Sequence, residues 1–444
     1  MAVTVGIVSL GCAKNMLDAE HMAYNLREEG FELQPDAALA DVAVINTCGF
    51  IESAKQEAIE TILEFVALKE EKRIKAIIVT GCLAERYREE ILKELPEVDA
   101  VLGIGANELL GETIRKVLED NSDIEMYGDK YSLLLGGRRI VSTETYAYIK
   151  IAEGCSNHCT FCAIPGIRGN FRSRPMESII DEAKWLAKVG YREIILIAQD
   201  TSRYGEDLYG TQKLAELLRE LCKIEGLKWI RTLYCYPERI TDELIDVVAS
   251  ELKCVKYFDI PIQHCCDRVL KRMNRHSNEA EIRALVKKLR ERIPNVIIRT
   301  TLMVGFPSET EEEFDKLCEF VKEMRFDRLG CFAYSQEEGT AAAKLDGQLD
   351  EDEKNRRAEI LTQEQMLVSD QMTQEMLGKV YEVVVEGYDR YAECWFGRSA
   401  NEVPEIDGKI FFTSSIPLKV GDYQYVQITD TMDYDPIGEV ILAT

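Results

Sequence analysis

The chain has 444 residues, enough for two or three domains, with 54 Lys and Arg against 79 Asp and Glu and a net charge of −25. That field repels nucleic acid over most of the surface and favours a basic partner over DNA or RNA. No stretch approaches the roughly 20 apolar residues of a membrane span, and Met1 to Leu10 lacks the basic and long apolar regions of a targeting peptide. Fourteen cysteines without a secretory signal are expected in a reducing compartment, the cytoplasm, where thiolates are kept for metal.

Three short apolar runs open the chain, and each ends at a cysteine: T-V-G-I-V-S-L-G before Cys12, V-A-V-I-N-T before Cys48 and A-I-I-V-T-G before Cys82. A helix-like segment follows each run, so the pattern predicts a Rossmann- or flavodoxin-like parallel sheet whose carboxyl ends share one edge. Three thiols distant in sequence then converge. Any one of them alone reads as a small buried hydrophobe. Three at equivalent strand ends favour a metal site. The domain is expected to end after the helical segment around Leu109 to Leu118, a polar stretch and the turn Gly136-Gly137-Arg138-Arg139, giving residues 1–137.

Next comes an alternating strand from Ala147 to Ala152, then E-G-C-S-N-H-C-T-F-C, in which Cys155, Cys159 and Cys162 fall within eight residues. Zinc is conceivable with His158 as fourth ligand, but structural zinc sites usually draw ligand pairs from separated segments, which favours iron–sulfur. Each cysteine set is one thiolate short of a closed site. Two clusters with open irons imply chemistry at both. Further strands near residues 192, 228, 256, 295 and 328 bring the count to six, too few for an eight-stranded barrel. The expectation is a partial TIM-like (β/α)6 barrel over 138–375, open on one side to a large substrate.

Asp350 to Lys379 reads as one long helix with Leu361, Met366, Leu367, Met372 and Met376 along an apolar stripe assigned to core. Five short strands with Gly turns follow, predicting a small all-β barrel over 376–444. The fold class is therefore α/β with a carboxy-terminal β-module. The other eight cysteines (Cys222, Cys235, Cys254, Cys265, Cys266, Cys318, Cys331 and Cys394) lack ligand spacing and are expected in packing.

The run Cys155 to Cys162 resembles the radical S-adenosylmethionine superfamily. That resemblance implies a 4Fe-4S cluster held by Cys155, Cys159 and Cys162, whose fourth iron chelates S-adenosylmethionine and yields a deoxyadenosyl radical. With S-L-G-C-A-K-N at Ser9 to Asn15, N-T-C-G-F at Asn46 to Phe50 and T-G-C-L at Thr80 to Leu83, nearly the whole chain is similar to methylthiotransferases that end in a TRAM domain. The resemblance implies a second 4Fe-4S cluster on Cys12, Cys48 and Cys82, sulfide as co-substrate and a reduced electron donor. It assigns no catalytic side chain beyond the ligands.

Two branches of that family differ in substrate, one modifying an adenosine of transfer RNA and the other an aspartate β-carbon of a small-subunit ribosomal protein (S-twelve). K-I-A-E-G-C at Lys150, A-Q-D-T-S-R-Y-G at Ala198 and G-R-S-A-N-E-V-P-E-I-D-G at Gly397 resemble the ribosomal-protein branch. From Lys379 onward, five Lys or Arg stand against twelve Asp or Glu, which suits a basic protein, free or in a ribosomal subunit, and argues against transfer RNA. A tRNA adenosine 2-methylthiotransferase is the alternative, and a non-catalytic iron–sulfur sensor the remote one. Gln199, Asp200, Gln263 and Arg299, at barrel strands, and Phe161, between two ligands, are candidate cofactor contacts; for Asp200 and Gln199, helix capping is the competing role. His264 is read as a hydrogen-bonded core histidine. Ser308 occupies a Gly-Phe-Pro turn where the family frequently has Gly, leaving its backbone geometry open.

Overall fold

The computed structural model describes residues 3–120, 124–132, 136–432 and 434–441. Met1, Ala2 and Leu442, which the sequence places in or beside strands, lie outside them.

Six strands form the first sheet: β1 (Thr4–Ser9), β2 (Glu32–Leu33), β3 (Val42–Thr47), β4 (Ala76–Gly81), β5 (Ala100–Leu102) and β6 (Ile124–Met126), in the order β2-β1-β3-β4-β5-β6. All pairings are parallel. β3 and β4 are buried along their whole length, as unbroken apolar runs covered on both faces must be. Alternation then divides their side chains. Val42, Val44 and Ile78 pack on Met22 and Leu26 of helix α1 (Ala13–Glu28), while Ala43, Ile45, Ile77 and Val79 pack on Ala58, Ile62 and Phe65 of α2 (Glu52–Glu70). Because α1 and α2 leave neighbouring strands toward opposite faces, a crevice opens between the ends of β1 and β3.

The second domain supplies β7 (Ala147–Lys150), β8 (Ala152–Glu153), β9 (Arg172–Ser173), β10 (Glu193–Ile197), β11 (Trp229–Thr232), β12 (Tyr257–Gln263), β13 (Ile297–Val304) and β14 (Arg328–Ala333). β7, β10 and β11 make one parallel sheet and β12, β13 and β14 another, joined by the bridge between Ile230 and Cys254. Among the described residues β7 and β14 do not pair, so the six-stranded barrel stays open on that side. Ile194 and Leu196 face the surrounding helices; Ile195 and Ile197 face the lumen, with Tyr148 and Trp229. Antiparallel β8 and β9 close the base of the cysteine loop.

Five strands, β15 (Val380–Asp389), β16 (Cys394–Ser399), β17 (Ile410–Thr413), β18 (Tyr423–Met432) and β19 (Asp435–Val440), close into the last barrel. It plugs one end of the lumen. Val384, Val403 and Tyr423 join the lumen cluster, Trp229 and Tyr423 rings meet edge-on at 5.0 Å, and Arg398 and Arg231 both engage Glu193. The long helix spans Glu351–Gln374, shorter than the sequence suggested, and its stripe needs correction. Leu361 is buried, but Met366 and Leu367 are 40% and 63% exposed. The helix packs on β13, β14 and the helix Glu311–Met324, and leaves these two residues to solvent.

Candidate functional site

Cys12, Cys48 and Cys82 follow the carboxyl ends of β1, β3 and β4, which the register of Ser9 with Asn46 and Thr47 with Gly81 holds level. Asn15, wholly buried on α1, donates to the carbonyls of Leu10 (3.1 Å) and Thr47 (2.8 Å) and so ties two of these ends together; its Oδ1 lies 3.5 Å from Cys82 Sγ. Gly11, at φ +88°, passes so close to Cys48 that a Cβ there would meet its Cβ at 2.6 Å and its Sγ at 2.9 Å. Only glycine serves both demands. The three thiols act on one another's ionisation. Burial pushes Cys82 up to about 12 and also raises Cys48. Crowding raises Cys12 as well, but Lys14, Arg168 and the amides of Asn15 and Lys14 outweigh it and bring this thiol below the ordinary value.

The second set lies in the loop after β8. Backbone bonds from Cys155 to Gly169 (3.0 Å) and from Thr160 to Met273 (3.0 Å) fix its ends. Arg275 stacks over the Tyr236 ring at 4.2 Å and approaches Cys159 Sγ at 3.8 Å, with Tyr236 Oη at 3.9 Å from the same sulfur. Burial lifts Cys155 to about 11 and Cys162 further. A cavity of about 610 Å³ runs along Cys159 and Cys162 to Arg86 of the first domain and to Gly339. His158 is exposed, and its carbonyl accepts from Asn274.

Between the two sets lies a buried charge cluster that the sequence reading did not single out. Arg168, closing the short helix α3 (Ile164–Arg168), donates to Glu153 (3.0 Å), Asp18 (2.9 Å) and Asn15 (2.6 Å) and reaches Cys82 Sγ at 3.5 Å. Lys150 bonds Asp18 (2.6 Å) and Glu153 (2.8 Å), and Gln199 donates to Glu153 (2.9 Å). Two cations thus balance two carboxylates at the seam of the first two domains. Lys150 and Glu153 stood in the quoted K-I-A-E-G-C and Asn15 in S-L-G-C-A-K-N; Asp18 and Arg168 carried no spacing signal. For both sets the donors suit an iron–sulfur cluster: three thiols converging from fixed backbone, with cations beside them to offset thiolate charge.

The remaining candidates fall into different surroundings. Gln199 keeps a buried Oε1 without a partner, whereas Asp200 accepts from Ser202 (2.6 Å) and the Arg203 amide, the bonds of a turn cap, and also from Asn157 of the cysteine loop (2.9 Å), with Arg239 at 3.3 Å. Phe161 packs on the barrel core from between its flanking cysteines. Gln263 closes β12 at φ +72°. Arg299 lies near the amino-terminal end of β13, paired with Asp259 at 2.8 Å and 3.9 Å from Asp407 of the last barrel. His264 is wholly buried, with Nδ1 accepting from the Cys266 amide (3.0 Å) and Nε2 4.0 Å from Glu309. Its ligand atoms and those of Cys265 and Cys266 lie within 4.8 Å of one another, a proximity that spacing alone did not reveal. Ser308 takes φ +66°, the left-handed conformation that glycine favours, braced by Gly347 and Asp346 carbonyls.

An open parallel barrel with a three-cysteine loop at its first strand end, joined to a parallel-sheet domain, defines a radical S-adenosylmethionine enzyme, whose family uses a 4Fe-4S cluster and S-adenosylmethionine. Family profiles match residues 4–103 (Uncharacterized protein family UPF0004), 149–321 (Radical SAM superfamily) and 377–441 (TRAM domain). The fold is similar to the radical S-adenosylmethionine methyltransferase TsrM of Kitasatospora setae (TM-score 0.57, 15% identity, covering 76% of this chain and 77% of that one). Two relatives described as ribosomal protein uS12 methylthiotransferase RimO align end to end. That of Caldicellulosiruptor saccharolyticus is 50% identical over 99% of this chain and 100% of its own, and that of Acetivibrio thermocellus 47% identical over 99% of each. The chain belongs to the RimO family of radical S-adenosylmethionine methylthiotransferases. Among the described residues no helix is long and apolar enough to cross a membrane.

Proposed function

We propose that this enzyme transfers a methylthio group to the β-carbon of an aspartate on ribosomal protein uS12, in the cytoplasm, using two 4Fe-4S clusters. The observation that carries this reading is the pair of three-cysteine sets linked through the Arg168 cluster, supported by relatives whose names specify uS12. We assign residues 1–137 to the auxiliary cluster on Cys12, Cys48 and Cys82, 138–375 to the radical-generating cluster on Cys155, Cys159 and Cys162, and 376–444 to docking of the basic substrate. An sp3 C–H bond beside a carboxylate is too weak an acid for an ordinary base; when bound, the clusters and S-adenosylmethionine supply a hydrogen-abstracting radical and the sulfur, with added sulfide as its source.

The chain's own residues do the rest. Arg168 and Lys150 hold Glu153 ionised, so that Gln199 is oriented by donating to it and leaves Oε1 free for the cofactor's amino group. Arg275 and Tyr236 hold Cys159 in place. The unpaired side between β7 and β14 admits the substrate, and the last barrel plugs one end of the lumen with apolar side chains.

The test is mass spectrometry of uS12 after anaerobic incubation with reconstituted enzyme, dithionite, sulfide and S-adenosylmethionine, beside Cys12→Ala. One methylthio group on an aspartate, absent with the variant, is expected. Deoxyadenosine production with unmodified uS12 would overturn the substrate, and transfer RNA would be assayed next.

A further inference from the structure

Lys14 stands two residues after Cys12 and is 7% exposed, yet among the described residues no carboxylate pairs with it. Buried ammonium groups without a counter-charge are costly and correspondingly rare. Its Nζ lies 3.4 Å from the centroid of the Tyr234 ring, an arrangement that attracts the cation without neutralising it. Arg168 and Lys150 balance Asp18 and Glu153, and Arg299 is taken by Asp259.

The ring beneath the ammonium is held at a conformational cost. Tyr234 has φ +62°, left-handed backbone that a bulky side chain rarely adopts. Its amide donates to Asp259 (3.0 Å) and its carbonyl accepts from the Thr201 amide (3.0 Å), so β12 and the loop after β10 together impose this geometry. Strain kept in place by its surroundings is a mark of a functional position. Tyr234 also belongs to the side chains facing the barrel lumen, with Ala13 and Met16 beside Lys14 on the chain. The ammonium therefore sits where the first domain's cysteine edge meets the lumen.

We infer that Lys14 is a specificity-determining residue that binds the side-chain carboxylate of the target aspartate. The inference rests on the proposed function and names how that substrate is chosen: the substrate supplies the carboxylate partner that Lys14 lacks among the described residues, and binding it beside Cys12 brings the neighbouring carbon to the sulfur-bearing set. A neutral isostere leaves the ammonium unpaired. Charge thereby selects aspartate over asparagine, which shape alone does not separate.

The test measures binding of uS12 by fluorescence anisotropy to reconstituted enzyme without reductant. It compares native uS12 with a form in which the aspartate modified in the preceding experiment is changed to Asn. Wild-type enzyme is expected to prefer the aspartate form by about tenfold or more, the usual range of a hydrogen bond to a charged group. Lys14→Met is expected to bind both forms alike, and Lys14→Arg to keep the preference. Should Lys14→Met lose iron or fold, Lys14→Gln takes its place in the comparison. An undiminished preference in the neutral variants overturns the inference, more so if the first-domain cluster's potential shifts, because Lys14 is then only that cluster's counter-ion. Absence of any preference in the wild type overturns it equally. If wild-type enzyme neither binds nor modifies uS12, the proposed function itself falls, an outcome distinct from the others.

Discussion

Replacing Arg168 by Met removes one cation from a cluster of two cations and two carboxylates whose side chains are at most 3% exposed. Lys150 alone then faces Asp18 and Glu153, and one negative charge stays buried without compensation. Breaking a buried pair in this way costs about 3–5 kcal/mol, far more than the net value of the pair itself. For the domains concerned this lowers the first thermal transition by roughly 10 °C. Calorimetry of the cluster-free protein measures it. The same logic demands that adding Glu153→Gln to Arg168→Met recover part of the loss, because it removes the stranded charge. Cys82 also loses its neighbouring cation, so the variant should retain iron poorly in the first domain. A shift below about 2 °C, or a double variant no more stable than the single one, would refute this account of the seam.

Gly11→Ala drives a Cβ into Cys48 at a φ of +88° and, with the two clusters proposed above, should cost about four of about eight irons per chain, while deoxyadenosine formation at the barrel persists; equal iron loss from both cysteine sets would contradict it. Burial pushes Glu153 up, but Arg168 and Lys150 outweigh it and hold the carboxyl below its usual range. A depressed folded value gives stability that is complete above the unfolded value near about 4.3 and lost as pH falls through the folded one. The wild type's advantage over Glu153→Gln in urea unfolding should therefore be full at neutral pH and shrink on acidification; an advantage that grows toward acid would sink the assignment. Asp407 accepts from Tyr257 Oη (2.8 Å) and the Val403 amide (2.9 Å) where the last barrel meets the lumen. Asp407→Asn should loosen this contact by about 1–3 kcal/mol, read as faster limited proteolysis near Leu377 to Lys379.

Sequence alone determined the strands after which the six candidate ligand cysteines fall, because each is a short apolar run ended by a turn signal, and local chain chemistry suffices to specify such an element. Spacing of x3 and x2, which confines three sulfurs to one loop, favoured iron–sulfur over zinc, and the class of chemistry followed from the resemblance that those residues carry. The sequence could not say where charged side chains find partners. Arg168 meets Asp18 across 150 positions, and Lys14 lies over Tyr234, 220 positions away, so neither relation leaves a periodic trace. The same blindness placed Met366 and Leu367 in the core, because periodicity reports which residues share a helix face and not how much of that face another element covers. Spacing within a segment follows from backbone geometry, whereas pairing between segments follows from how whole domains pack, and for this enzyme only the packed structure brings the two cysteine sets to one seam and lays the Lys14 ammonium over the Tyr234 ring.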